Sequence, residues 1–128
     1  MSFLISRIHS FRHAFRGWHY ALRTQKNAWI HSLAATLVFI FAFWLRLPPR
    51  DWAVLILTIA MVFAAEFLNT AIESVVDLAS PDLHPLAKIG KDVGAAAVLV
   101  AALAAILIGL LILGPPLYAQ IIFLIPNP

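Results

Sequence analysis

The chain contains no cysteine and little charge. The absence of cysteine excludes disulfides, thiolate metal sites and cysteine nucleophiles. Only 12% of the 128 residues are charged and 62% are hydrophobic, whereas soluble domains have about 25% charged residues and about half apolar ones. This composition excludes an ordinary soluble domain and predicts a membrane protein, with residues 1–128 forming a single domain.

Acidic residues are absent from the first quarter of the chain, so its basic residues are uncompensated. Such a segment suits the anionic headgroups of a membrane surface. Nucleic acid is not an expected partner, because the basic residues are sparse and lead straight into an apolar segment. Apolar residues recur here at three- and four-residue steps, namely Ile8, Phe11, Phe15, Trp18 and Leu22. We therefore predict an amphipathic surface helix over residues 1–27.

Three apolar segments follow, at residues 28–47, 51–78 and 86–114. Each is long enough, at about 1.5 Å per residue, to cross a hydrocarbon core about 30 Å thick. Pro48 and Pro49 separate the first two segments, and the proline-containing stretch 80–85 separates the last two. Residues 115–128 carry no charge and form an apolar tail too short to cross again. The predicted fold is an all-α integral membrane protein with one amphipathic surface helix and three transmembrane helices.

The second span carries polar residues on one face. Glu66, Asn69, Glu73 and Asp77 follow at steps of three and four residues, which places them within an arc of about 80° on a helix. Counted from Asp51, Glu66 lies about 22 Å and Glu73 about 33 Å along the axis, so the face reaches the membrane boundary. Carboxylates at that depth are functional candidates, although interhelical hydrogen bonds or a proton relay would also retain them.

The position of each polar residue favours a particular role. Glu66, at the apolar boundary, suits a proton acceptor for a hydroxyl group. Glu73, nearer water, suits a Mg²⁺ ligand, since that ion prefers carboxylate and phosphate oxygens, and Asn69 could orient either partner. A second polar set lies on the far side of the turn, and its lysines suit the charge of phosphate: His84, Lys88, Lys91 and Asp92. Lys88 could equally extend to the lipid headgroups. The remaining histidines lack metal-ligand spacing and are predicted to be surface or interface residues: His9, His13, His19 and His31.

The segments EFLNTAIESVVD and HPLAKIGKDVGAAAV resemble the prokaryotic diacylglycerol kinase and undecaprenol kinase family. The similarity extends over the amphipathic start, the approach GWHYALRTQKN to the first span and the three-span layout. It implies a homotrimeric bundle in the bacterial inner membrane, with active sites shared between neighbouring subunits. It further implies transfer of the γ-phosphoryl group of ATP, with Mg²⁺, to the hydroxyl group of a membrane lipid.

The resemblance also implies roles for individual residues. Glu66 corresponds to the general base that meets the lipid substrate, Asn69 to a residue that orients the catalytic site, and Glu73 to a metal and nucleotide ligand. The other positions assigned to nucleotide binding are His13, Gln25, Asp82, His84, Lys91 and Asp92. Where the family commonly has a metal-binding glutamate, this chain has Gln25. Its amide oxygen can still coordinate a metal but brings no charge, so weaker metal binding or a single-ion site is expected.

Two functions from different classes follow. The first is a lipid kinase, because phosphoryl transfer needs alignment, a metal and positive charge more than covalent chemistry by the protein. Its acceptor would be undecaprenol or diacylglycerol, and the segment HPLAKIGKD favours the undecaprenol branch. The alternative is a small oligomeric transporter or channel whose carboxylates line an ion path. That function leaves Lys91 and Asp92 unexplained.

The distribution of lysine and arginine predicts the orientation of the chain. Five basic residues precede the first span and Lys88 and Lys91 precede the third, against Arg46 and Arg50 between the first two. The N-terminus and the second loop, with the active site, should therefore be cytoplasmic and the C-terminus should lie on the opposite side. A reporter fused to the C-terminus is expected to be non-cytoplasmic, with an N-terminal fusion as control. A cytoplasmic C-terminal reporter would contradict this topology.

Overall fold

The computed structural model describes residues 2–82 and 84–124, with side chains for residues 6–82 and 84–123. Four helices account for nearly all of this part: α1 (Ser2–Thr24), α2 (Lys26–Trp44), α3 (Pro49–Ala79) and α4 (Pro85–Leu124). The predicted all-helical fold is confirmed for these residues. Helices α2, α3 and α4 are each long and apolar enough to cross a membrane, as the three predicted spans require, and the chain is a membrane protein.

The junction between α1 and α2 consists of one residue. The backbone of Gln25 is extended, with φ −104° and ψ 116°, and its N–H donates to the carbonyl oxygen of Ala21 at 2.9 Å. This single extended residue ends α1 and lets the chain change direction before α2 begins at Lys26. Gln25 therefore lies at a corner, where its side chain can reach another helix.

The turn between α2 and α3 is closed by backbone hydrogen bonds. Leu47 N–H donates to the carbonyl oxygen of Ala42, and Arg46 N–H donates to that of Phe43, both at 3.1 Å. This pair of bonds is the Schellman ending of a helix, which requires a left-handed residue. Arg46 takes that conformation with φ 53°. Pro49 then occupies the first turn of α3, where a missing N–H costs no intrahelical bond.

A small apolar core lies beside this turn. Ala42, Leu47 and Leu55 are buried, and five partly buried side chains pack on them: Val38, Leu45, Trp52, Ile112 and Leu113. The part of α4 around Ile112 and Leu113 therefore packs against the α2–α3 turn. Most other large apolar side chains are exposed, as Leu78 at 85% illustrates. So much exposed apolar surface suits contact with lipid or with another chain.

Helix α1 contacts α3 through aromatic rings. The ring of Trp18 lies 6.0 Å from that of Phe63 and 5.6 Å from that of Phe67. Ala21, one turn further along α1, is buried. Other residues of the predicted apolar face, such as Phe11 and Phe15, remain exposed. The C-terminal half of α1 is therefore fixed against the bundle and brings Gln25 towards α3.

Helix α4 continues beyond the predicted end of the third span. It passes through Pro115 and Pro116 and reaches Leu124. A proline lacks the helical N–H and its ring crowds the carbonyl four residues earlier, and membrane helices tolerate such losses. Residues 115–124 of the predicted tail are therefore helical, and residues 125–128 lie outside the described part.

Candidate active site

The polar face of α3 is buried at one end and exposed at the other. The side chain of Glu66 is 1% exposed and Asn69 is 6% exposed, whereas Glu73 is half-buried and Asp77 is exposed. The carboxylates thus occupy a gradient from apolar to aqueous surroundings along about three turns of helix. Glu66 is the most enclosed of them, and burying a carboxylate costs free energy unless it gains partners.

Glu73 connects the corner at Gln25 to the middle of α3. One carboxylate oxygen, Oε2, accepts a hydrogen bond from Gln25 Nε2 at 2.9 Å. The other, Oε1, accepts from Asn69 Nδ2 at 3.0 Å. Two neutral amides thus hold both oxygens of one charged group, and hydrogen bonds to a charged group are stronger than those between neutral ones. The structure therefore brings together three of the residues that the sequence assigned to the site.

Glu66 faces a histidine of α2. His31 Nε2 lies 4.0 Å from Glu66 Oε2. Both of these atoms, and Glu66 Oε1, are buried and have no hydrogen-bond partner within the described part of the chain. Native structures rarely leave buried polar atoms unpaired. Sequence reasoning placed His31 among surface or interface histidines, although an ionisable residue inside an apolar span is itself a signal of function.

Helix α4 packs closely against Asn69 at the position of Gly94. A Cβ atom added at Gly94 would clash with Asn69 Oδ1 and lie 3.4 Å from Asn69 Cγ. The absent side chain therefore lets α4 approach the amide group, whose Nδ2 is already bound to Glu73. Small residues allow membrane helices to pack closely. The sequence does not single out Gly94, because only its position opposite Asn69 in the fold distinguishes it from the other glycines.

An ion pair joins α3 and α4 at the exposed end of the face. Lys91 Nζ donates to Asp77 Oδ1 at 2.9 Å, with the two side chains 40% and 65% exposed. Exposed pairs of this kind typically contribute about 0–1 kcal/mol. Lys91 lies three residues before Gly94, so a short length of α4 presents both the lysine and the close contact with Asn69. Its ammonium group is accessible to a ligand of opposite charge.

The remaining predicted nucleotide ligands lie apart from these contacts. At the start of α4, His84 Nδ1 accepts a hydrogen bond from Leu86 N–H at 3.2 Å. In the turn before it, the backbone carbonyl of Asp82 accepts from Ser80 Oγ at 3.0 Å. His13 lies exposed on α1 and Asp92 is exposed on α4. Within residues 2–82 and 84–124, the side chains of His13, Asp82, His84 and Asp92 make no hydrogen bond to the Glu66–Glu73 face.

The donor set around Glu73 fits a metal ion that arrives with phosphate. No group of three histidine or acidic side chains that could hold a metal ion occurs in the described part of the chain. Mg²⁺ does not require such a cage, because it usually takes one or two carboxylates and completes its shell with water and phosphate oxygens. Glu73 supplies one carboxylate and Gln25 an amide beside it.

These features define a class of membrane protein that carries a buried carboxylate and an amide-bound carboxylate on one helix. The family model for prokaryotic diacylglycerol kinase matches residues 12–113, about four fifths of the chain. The chain therefore belongs to the prokaryotic diacylglycerol kinase family, and the resemblance read from the sequence is confirmed. The match includes Gln25, His31, the polar face of α3 and Lys91.

Individual relatives carry two different names. The chain is 46% identical over 114 residues to a diacylglycerol kinase of Synechocystis sp., covering 88% of this chain and 65% of that protein. It is 45% identical over 108 residues to an undecaprenol kinase of Bacillus subtilis, covering 84% and 88%. It is 34% identical over 95 residues to a diacylglycerol kinase of Escherichia coli, covering 69% and 78%. The chain thus spans just under two thirds of the Synechocystis protein's length.

The contact between Gly94 and Asn69 predicts an asymmetry between two glycines of α4. Gly94→Ala should displace the Asn69 amide, break its hydrogen bond to Glu73 and cost about 1–3 kcal/mol of stability, as overpacking does. Gly90→Ala is the matched control, because its added Cβ would meet only Val76 Cγ2 at 3.9 Å. Thermal unfolding in detergent should show a lower Tm for Gly94→Ala alone.

A double variant identifies the cause of that loss. When Asn69→Ala is already present, the methyl group added at position 94 has no amide to clash with. Gly94→Ala should then lower the Tm much less. Such non-additivity is expected only for residues in contact. Equal Tm values for Gly94→Ala and Gly90→Ala in the otherwise unchanged chain would contradict the close approach of α4.

Proposed function

We propose that this chain is a lipid kinase that transfers the γ-phosphoryl group of ATP to the hydroxyl group of a membrane lipid. Its membership of the prokaryotic diacylglycerol kinase family supports this function, as do relatives named diacylglycerol kinase and undecaprenol kinase. The observation that carries the proposal is Glu66, which is 1% exposed and whose two carboxylate oxygens have no hydrogen-bond partner among the described residues. Nothing comparable supports the alternative of a transporter or channel.

The two carboxylates would divide the reaction between them. They lie seven residues apart, about 10 Å along the helix axis. Glu66, in the apolar part, would accept the proton of the lipid hydroxyl as general base, while Asn69 orients the site between the two. Glu73, nearer water, would face the phosphates of ATP. The catalytic contribution is mainly alignment and electrostatic stabilisation, which is what phosphoryl transfer requires.

Glu73 and the amide oxygen of Gln25 would hold a Mg²⁺ ion. When bound, that ion neutralises charge on the phosphate oxygens. The Gln25 amide instead donates to Glu73 in the structure, so it would have to turn over to present its oxygen. One carboxylate and one neutral amide make a weaker site than two carboxylates, and we propose a single bound ion.

The exposed polar residues would bind the nucleotide. Lys91 would exchange its weak ion pair with Asp77 for a phosphate group, since a doubly charged phosphate offers more attraction than one exposed carboxylate. The remaining nucleotide contacts are assigned from the family resemblance: His13, Asp82, His84 and Asp92. They lie at the ends of α3 and α4 or on α1, and a neighbouring subunit in a trimer would help to assemble them.

We further propose a homotrimer in the bacterial inner membrane, with the N-terminus and active site on the cytoplasmic side. The extensive exposed apolar surface of α2, α3 and α4 supports a buried environment made of lipid and neighbouring subunits. Helix α1 would lie on the membrane surface with Phe11 and Phe15 towards the lipid, since both are exposed while Trp18 packs on α3. Its arginines would face anionic headgroups.

The acceptor would be undecaprenol or diacylglycerol. Relatives with both names are almost equally similar to this chain, at 45% and 46% identity, so identity favours neither. The segment HPLAKIGKD favours undecaprenol. Apolar pockets discriminate weakly between chains, and purified protein should therefore be assayed with both lipids, ATP and Mg²⁺. The proposal requires lipid-dependent release of ADP with at least one of them.

Replacing the general base should stop the reaction. Glu66→Gln keeps the size of the side chain but cannot accept the hydroxyl proton, so turnover should fall by at least about 10²-fold while the oligomer stays intact in detergent. Asp51→Asn is the control, since Asp51 lies in the first turn of α3, far from the site. Near-normal activity of Glu66→Gln would remove Glu66 as the base.

Introducing a carboxylate at position 25 should strengthen metal binding. Gln25→Glu would set two carboxylates in hydrogen-bonding proximity, where like charges repel unless a cation lies between them. Its Tm should therefore rise with Mg²⁺ more steeply than that of the unchanged protein, and Mn²⁺ titration followed by EPR should show tighter binding or a second ion. Gln25→Ala is the control. Two tightly bound ions in the unchanged protein at low Mg²⁺ would contradict the single-ion site.

A further inference from the structure

The distance between His31 and Glu66 suits two groups that share one hydrogen-bonded atom. Nε2 and Oε2 are 4.0 Å apart, too far for a direct hydrogen bond, which spans about 2.7–3.2 Å. An oxygen atom placed about 2.8 Å from each would complete a triangle on this base. Both atoms are buried without partners in the described part of the chain, so each has bonding capacity to offer.

The chemistry of the two groups selects the ligand. A neutral imidazole in its Nε2–H form offers a donor, and an ionised carboxylate offers an acceptor. A hydroxyl group is the complement of this pair, because its oxygen accepts one hydrogen bond while its proton is donated in another. A phosphate oxygen would meet repulsion from Glu66, and an ammonium group would offer nothing to the imidazole N–H.

The exposure of the two side chains indicates the route of approach. The side chain of His31 is 17% exposed, against 1% for Glu66, so His31 is the member of the pair that reaches the surface. Its neighbours on α2, Trp29 and Ile30, are 66% and 63% exposed. A lipid alcohol moving along this apolar surface would meet His31 first and Glu66 behind it.

We propose that His31 is a catalytic residue that binds the acceptor hydroxyl directly. The Nε2–H group donates to the hydroxyl oxygen, and the hydroxyl proton is donated to Glu66. The acceptor oxygen then forms a bond to the γ-phosphorus of ATP, the bond from that phosphorus to the bridging oxygen breaks, ADP leaves and the proton passes to Glu66. This assignment rests on the proposed lipid kinase function.

Kinetics of three variants test the role of the imidazole. His31→Ala should raise the KM for the lipid acceptor about five- to tenfold, the loss expected for one hydrogen bond, with the KM for ATP unchanged. His31→Gln retains an N–H donor and should recover part of the loss. His9→Gln is the matched control, since His9 lies exposed on α1. Unchanged lipid KM in His31→Ala, or equal increases in the KM for lipid and for ATP, would overturn the assignment.

Binding without ATP tests the contact independently of turnover. The unchanged protein, labelled with nitrogen-15 in histidine and held in nanodiscs, is titrated with dioleoylglycerol, with undecaprenol and with the deoxy analogue of each, in which a hydrogen atom replaces the hydroxyl group. The His31 resonance, assigned by its loss in His31→Gln, should shift with an alcohol but not with its deoxy analogue, which lacks the oxygen that accepts from Nε2–H. An equal shift with alcohol and deoxy analogue, or none with either alcohol, would overturn the assignment.

The two experiments separate this inference from the proposed function. If the unchanged protein phosphorylates a lipid alcohol while the His31 resonance is insensitive to the hydroxyl group, the kinase stands and the role of His31 fails. If the resonance responds to the hydroxyl group but no lipid-dependent ADP appears, the binding contact stands and the kinase fails. The comparison of an alcohol with its deoxy analogue uses the unchanged protein, so it does not depend on the folding of any variant.

Discussion

The hydrogen bonds between Glu73 and two amides join three helical segments, because polar partners offset the cost of burying part of a carboxylate. The Gln25 and Asn69 side chains each donate to one of its oxygens, at 2.9 and 3.0 Å. Because Gln25 occupies the single-residue corner between α1 and α2, this bond also fixes where both helices meet α3. An unpaired buried charge would cost several kcal/mol, so the corner, the helix and the carboxylate are ordered together.

The same network determines how closely α4 can approach. Asn69 is committed to Glu73 through its Nδ2 atom, which leaves its Oδ1 atom facing Gly94. A side chain at position 94 would push the amide away from the carboxylate, so packing of α4 and the geometry of the site are coupled. One turn earlier, Lys91 pairs with Asp77. The helix that carries the phosphate-binding candidate is thus positioned by a contact with the acidic face itself.

The sequence predicted much of this arrangement because its signals are local. Apolar length identified α2, α3 and α4, and the 3.6-residue period of a helix was enough to place Glu66, Asn69 and Glu73 on one face. Two contacts were missed: Gly94 lies against Asn69, and His31 lies against Glu66. Both depend on how helices that are far apart in the sequence pack against each other.

On the proposed function, the gradient of exposure along α3 would let one helix serve two substrates of opposite character. Glu66 is enclosed, lies next to His31 and has no hydrogen-bond partner in the described part of the chain, so a small neutral group that both donates and accepts would suit it. Glu73 accepts hydrogen bonds from two neutral amides and lies where a cation and phosphates would come. Exchanging the two environments would place a charged ligand in the apolar part and leave the alcohol facing water. The proposed chemistry would therefore require this order of the carboxylates along the helix.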